Sequence, residues 1–204
     1  MDFLKNLFQL QQTPVPNDRI FIEEEDLVRT KINSLKKTSE KSIENNTIYT
    51  DTKTRQKWEL YYTYLGDDIT IKVKGVRIYP SPKWEELLLL AIETNYIEET
   101  KIISRYIRKK INDKEKHREK ILDILEINQK KLSHEKYDVI YSNLQLGDKT
   151  NKRETMNIPL DTVKSDNEYF QSLVERADRI KTFITTANSG FALCGLLASL
   201  SNFS

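Results

Sequence analysis

Only five glycines and five prolines punctuate the 204 residues. Together they make up about 5% of the chain where about 12% is usual, too few tight turns for a many-stranded sandwich or barrel. Leu, Ile, Val and Phe supply 57 residues, well above the level of roughly 20% below which chains stay unfolded. The chain is therefore expected to fold around a few long elements with a real core. Its 33 Lys and Arg nearly balance its 31 Asp and Glu, so any charged partner must be read from local clusters and not from the whole molecule.

At the N-terminus Phe3, Leu4, Leu7 and Phe8 follow an amphipathic helical pattern, without the long apolar core or small-residue cleavage site of a signal peptide. Pro14 and Pro16 end that pattern and favour an extended linker, so residues 1–18 read as an appendage. A core of 19–146 follows. It opens on a strand at Arg19–Ile22, then the acidic run Glu23 to Asp26, which suits a helix N-terminus. Leu27, Val28, Ile32 and Leu35 recur at helical spacing, with Lys36 and Lys37 closing the helix. Residues 38–54 are polar and β-branched and are expected as a mobile loop turning at Asn45-Asn46. Trp58, Leu60, Tyr62 and Tyr64, then Ile69, Ile71 and Val73, alternate on either side of Gly66-Asp67-Asp68, which predicts a hairpin. Val76 to Tyr79 extends it into a meander with one wet, lysine-bearing face.

Ser81-Pro82 reads as a helix start, and the four leucines Leu87 to Leu90 predict the most buried helix of the chain. Ile97 to Ile111, Lys114 to Leu132 and His134 to Leu144 follow, the last capped by Ser133, with breaks short enough for consecutive antiparallel packing. Residues 147–165 read as a polar loop, and 166–204 as a C-terminal helical segment. There Ser165 and Glu168 stand at capping-box spacing, and Phe170, Leu173, Val174, Ala177, Ile180 and Ile184 share one face. The expected fold is α+β and predominantly helical: a small antiparallel β-meander packed against a stack of antiparallel helices, with an apolar C-terminal helix.

Familiar chemistry fails residue by residue. The lone Cys194 lies in an uncharged apolar stretch, without the cationic neighbours that make a thiol nucleophilic. His117 and His134 have no His or Cys partner at metal-ligand spacing. The glycines at 66, 75, 147, 190 and 195 form neither a phosphate-binding nor a dinucleotide-binding pattern. Asp67 and Asp68 precede Lys72 and Lys74 as in metal-dependent nucleases, but the second acid of that arrangement is missing. Catalytic, cofactor-binding and metal-ligating residues are therefore expected to be none, and no small-molecule substrate is inferred.

Three clusters survive. Between Lys101 and Lys120 there are nine Lys or Arg against three acids, and Lys101, Arg105 and Arg108 stack along one helix side with Lys109 at its edge, a candidate contact for phosphates or an acidic partner. After Lys181 there is no charge, and Phe191, Leu193, Leu196, Leu197 and Leu200 make a candidate interface, with small residues at 187, 190, 192, 195 and 198 that permit close helix approach. Its dense part, 191–200, is short for a bilayer crossing, which needs about 20 residues. Trp58, Tyr61, Tyr62, Tyr64 and Tyr79 crowd the small sheet, where the leucine among them marks an inner face. The expectation is a non-catalytic cytoplasmic interaction module, an adaptor, inhibitor or immunity-like binder, partnered by another protein or a second copy of itself. A nucleic-acid binder using 101–120 and a peripheral membrane-associated protein are the alternatives.

Overall fold

The computed structural model describes the backbone of residues 19–65, 70–111, 115–149 and 158–200, and the side chains of these except 64–65, 70–71, 115–116 and 187–200. The N-terminal helix and proline linker, the Asp67-Asp68 turn and Lys114 lie outside the described residues. Among the described residues there are six α-helices and one five-stranded antiparallel sheet, so the α+β, mainly helical class holds. The chain divides into two compact units, Met1–Pro82 and Lys83–Ser204, a boundary inside the 19–146 core.

The first unit holds β1 (Phe21–Ile22), α1 (Glu25–Asn33), β2 (Lys36–Lys41), β3 (Thr47–Thr50), β4 (Lys57–Leu65) and β5 (Thr70–Tyr79), with strand order β1-β5-β4-β3-β2. Helix α1 ends at Asn33, short of the lysines expected to close it. The Ser34 amide and hydroxyl both donate to the Lys31 carbonyl, at 3.0 and 2.7 Å. Lys36 and Lys37 then pair with Thr50 and Tyr49. The expected mobile loop 38–54 is therefore corrected to a β2–β3 hairpin, although the turn falls where it was predicted, with Asn45 at φ 60°.

Strand alternation gives the sheet two unlike faces. Ile22, Leu60, Val76 and Trp58 point to one side and form a core with Val28 of α1. At its edge the Lys31 ammonium sits 3.9 Å over the Trp58 ring, and burial lowers its pKa against the opposing pull of Asp51. On the other side one cross-strand row runs Phe21, Arg77, Glu59, Ile48. All four are buried, with exposures of 1%, 5%, 2% and 0%. The face expected to be wet is thus buried along this row. Arg77 Nε donates to Glu59 Oε2 at 2.6 Å and Nη2 to Glu44 Oε2 at 2.9 Å, while Asn46 Nδ2 donates to Glu59 Oε1 at 2.8 Å.

The meander is a hairpin of β4 and β5 with a bulge at Lys74, since Tyr61 faces Gly75 and Tyr62 faces Val73. Beyond it β4 has passed the last β3 pairing at Leu60. Tyr62 and Val73 are accordingly 37% and 41% exposed, so the inner-face reading of the aromatic strand holds for Trp58 and Leu60 and fails at Tyr62. The glycine at 75 is demanded by close approach: a Cβ there would stand 2.4 Å from the Ile22 carbonyl oxygen and 2.7 Å from the Tyr61 hydroxyl.

The second unit holds α2 (Trp84–Glu93), α3 (Ile97–Ile111), α4 (Glu115–Ile127), a 3₁₀ turn (Gln129–Lys131), α5 (His134–Asn143) and α6 (Leu160–Leu200). Helix α2 starts after Lys83, not at Ser81, and the Glu86 carboxylate caps it by accepting from the Lys83 amide at 3.1 Å. Of the four leucines Leu87 and Leu88 are buried and Leu89 is exposed. Ser133 caps α5 as predicted, its hydroxyl accepting from the Lys136 amide. Helix α6 begins at Leu160, five residues before the expected cap. Its first turns carry no apolar stripe; the Pro159 carbonyl accepts from the Val163 amide, and Asp161 stands in the first turn. The expected loop therefore loses 160–165 to helix.

Packing is not simply consecutive. The main neighbours of α3 are α2 and α5, and α6 packs on α4 and α5. Seven positions of α3 are buried, Glu99, Thr100 and Ser104 among them, an arc wide enough for two neighbours. Phe170, Leu173, Val174, Ala177, Ile180 and Ile184 are all buried, as their spacing predicted. Tyr137, whose pKa burial pushes up, donates its hydroxyl to the Ala177 carbonyl at 2.6 Å and ties α5 to α6. Among the described residues no helix is long and apolar enough to cross a membrane.

Two outcomes check this account of the sheet. Gly75→Ala should force β1 away from β5 and destabilise the unit by about 1–3 kcal/mol, read by chemical denaturation, whereas an unchanged midpoint would show the approach to be dispensable. The Glu59 carboxyl is pushed up by burial but held down more strongly by Arg77, Ser42 and Asn46, so its pKa lies below the ordinary value. Its contribution is present above the unfolded pKa, about 4.3, and is lost as pH falls through the lower folded value. Glu59→Gln should cost up to about 3 kcal/mol at pH 7 and flatten the acid limb of the stability profile. Parallel profiles for the two proteins would contradict it.

Candidate interaction surfaces

Burial of Glu99, Thr100, Ile102, Ile103, Ser104, Ile107 and Ile111 fixes the rotation of α3 about its axis. At 3.6 residues per turn the strip left over is narrow. Lys101, Arg105 and Lys109 are exposed on it, and Arg108 lies half-buried at its edge, where Lys109 was expected. The one acid on the strip is Glu98, whose carboxylate stands 3.7 Å from the Lys101 ammonium. Both are about half exposed, and such a pair contributes little, roughly 0–1 kcal/mol. Lys110 stands off the strip, its ammonium 5.3 Å from the Tyr106 ring centre.

The rest of the basic run does other work. Arg118 donates to the Asp148 carbonyl and stacks 4.9 Å from the Phe170 ring, holding the chain after α5 to the start of the α6 stripe. Lys120 pairs with Glu85 at 2.9 Å and lies over Trp84. What reads as one cluster over 101–120 is thus a solvent-facing strip on α3 and a set of packing contacts on α4. The residues expected to extend the patch also divide. Arg77 is buried between two carboxylates, and Lys74 stands 3.6 Å from Glu23. Lys72 is exposed, but it belongs to the other unit.

The second surface is the end of α6. Phe191, Leu193, Leu196, Leu197 and Leu200 fall within the helix, and their side chains, like that of Cys194, lie outside the described ones. Described residues just before them show the change of character. Arg176 is clamped by Asp123 and Glu126 of α4, and Lys181 pairs with Asp138 of α5 at 2.8 Å, which raises the lysine pKa. Glu175, Asp178, Arg179 and Thr182 line an open depression of about 430 Å³. Two residues on, Phe183 is 39% exposed while Ile184 is 1%.

The histidines have packing partners. His117 meets the Trp84 ring edge-on at 5.6 Å, and His134 Nδ1 lies 3.2 Å from Asp138 Oδ2. Among the described residues no three His, Cys, Asp or Glu side chains converge on a point where a metal could sit. Sequence reasoning missed the buried polar groups instead. Glu99 is fully buried and accepts from the Thr94 hydroxyl at 2.6 Å, and Thr100 donates to the Ala91 carbonyl at 2.9 Å. The available signal was a helical stripe interrupted by acids and hydroxyls where apolar residues were due.

If the α3 strip is surface and its opposite side is core, single Lys101→Ala, Arg105→Ala and Lys109→Ala changes should each shift stability by no more than about 0.5 kcal/mol. Ile103→Ala and Ile107→Ala should each cost about 2–5 kcal/mol. Urea unfolding of the five variants reads the difference, and a strip residue costing as much as an isoleucine would refute the assignment.

No protein-family model, curated protein or solved structure matches this chain, so its function has to be read from these surfaces.

Proposed function

We propose that the chain is a non-catalytic protein-binding module and that the part of α6 beyond Lys181 is its docking element. One observation carries the reading. Helix α6 is seated on α4 and α5 as far as Ile184 and then continues as helix to Leu200 with no charged residue after Lys181. Its polar residues beyond Lys181, namely Thr182, Thr185, Thr186, Asn188, Ser189 and Ser199, are uncharged, and the apolar residues between them call for cover; Phe183 is already 39% exposed where the charges stop. In the sequence Leu193, Leu196, Leu197 and Leu200 recur at i, i+3, i+4 and i+7, the anchor spacing of a helix laid into an apolar groove. The dense part has half the length that a bilayer crossing needs, about 20 residues, which favours protein over lipid as the cover. The partner is another protein or a second copy of the chain.

Cutting the chain after Thr186 keeps Ile184 and tests this. The shortened protein should melt at the temperature of the full chain and run as a monomer in light scattering, while the full chain runs at a higher mass or requires its partner to stay in solution. Leu193→Asp combined with Leu197→Asp should reproduce the cut. Marked loss of stability on cutting would instead mean that the segment packs within its own unit. Flotation of the full chain with liposomes, abolished in the double variant, would transfer the segment to a membrane surface.

A further inference from the structure

We propose that the N-terminal segment 1–18 folds back over the second face of the sheet, where Phe3, Leu4, Leu7 and Phe8 cover the buried row Phe21, Arg77, Glu59, Ile48. The inference goes beyond the α6 reading and does not rest on it, since the two concern different units. The row itself demands a cover. All four of its residues are withdrawn from water within the single chain, so the cover belongs to the chain and not to a partner. Yet α1 is the one helix of this unit among the described residues, and its Leu27, Val28 and Ile32 pack on the opposite face with Trp58 and Leu60.

Attachment and length select the segment as that cover. It joins the sheet at Arg19, just before Phe21 opens the row. The chain is already withdrawn from water there: the Arg19 side chain is 3% exposed and donates to both carboxylate oxygens of Glu24, at 2.6 and 2.9 Å. From Phe21 on β1 to Ile48 on β3 the row crosses β5 and β4, a width of about 14 Å at the usual strand spacing. Residues 3–12 as a helix are about 15 Å long. The stretch 13–18, held extended by Pro14 and Pro16, reaches up to about 20 Å. The segment is thus long enough to turn back and lie along the row. Its chemistry suits the place, because an apolar stripe matches Phe21 and Ile48 at the two ends, and exclusion of water strengthens the pairing of Arg77 with Glu59 and Glu44 between them.

The test reads the accessibility of position 48 by maleimide labelling of the full chain carrying Cys194→Ser and Ile48→Cys, which should label slowly. Deleting residues 2–12 should speed labelling on the order of tenfold or more, and Leu4→Asp with Phe8→Asp in the full chain should do the same. A matched chain with Cys194→Ser and Ile22→Cys places its thiol on the α1 face and should label slowly with and without the deletion. If the deletion unfolds the unit, so that both positions label, Leu7→Ala in a full chain of parental circular dichroism still has to speed labelling at 48 and leave 22 unchanged. Slow labelling at 48 that none of these changes alters overturns the proposal, because another part of the chain then covers the row. Labelling at 48 that quickens on dilution of the full chain overturns it in favour of a second copy, and fast labelling in the full chain at every concentration shows the row to be open.

Discussion

The guanidinium of Arg77 is the hinge of the sheet unit. It lies at the middle of a buried cross-strand row, and its donors reach the carboxylates of Glu59 on the neighbouring strand and Glu44 at the tip of the β2–β3 hairpin. A charge withdrawn from water is tolerated only when it is paired and its remaining hydrogen-bonding capacity is used. Here the pairing partner is itself tied down, because Glu59 also accepts from Asn46. The network therefore fixes a hairpin whose strands have little apolar reason to stay, since five of the six β2 residues are exposed. On the other face a small apolar core under α1 does the ordinary work of burial. One side of the sheet is held by non-directional burial and the other by directional charge contacts, which explains how so short a strand as β1 keeps its place.

The helical unit follows a different logic. Its long member, α6, is joined to α4 and α5 by an apolar stripe flanked by polar ties: Arg176 to two carboxylates on one side, Tyr137 and Lys181 on the other. The stripe supplies most of the burial, and the ties add directional contacts of fixed geometry. Helix α3 is wedged between α2 and α5 and gives up about half of its residues to packing. The exposed strip of α3 arises from this arrangement, as the part of the helix that packing leaves over.

Much of this was legible in the residues themselves. The bounds of α3, the cap at Ser133, the stripe from Phe170 to Ile184 and the turn at Asn45 all follow from neighbours in the chain, through helical period, side-chain capping or the tolerance of asparagine for positive φ. Prediction failed where the stabilising partner is distant in sequence. Lys36 and Lys37 are good helix enders on local grounds, but Ser34 stops the helix first and β3 then claims the lysines as a strand. The first turns of α6 lack any apolar pattern, so their helicity, started by Pro159, carried no periodic signal.

By itself the sequence determined the helical majority, the hairpin of β4 and β5 and the grouping of cations on one side of α3, because each depends on the period of a local element. Only the tertiary structure decided which cations are tied to distant elements. Arg77, Arg118 and Lys120 look like any other charges along a chain, yet the first is buried with two carboxylates and the others are engaged by Asp148 and Glu85. The reason is range. Helical phase is set within four residues, whereas the contact that occupies a charge is made across 18 to 35 of them, and nothing local distinguishes a guanidinium that will be buried from one that will meet water.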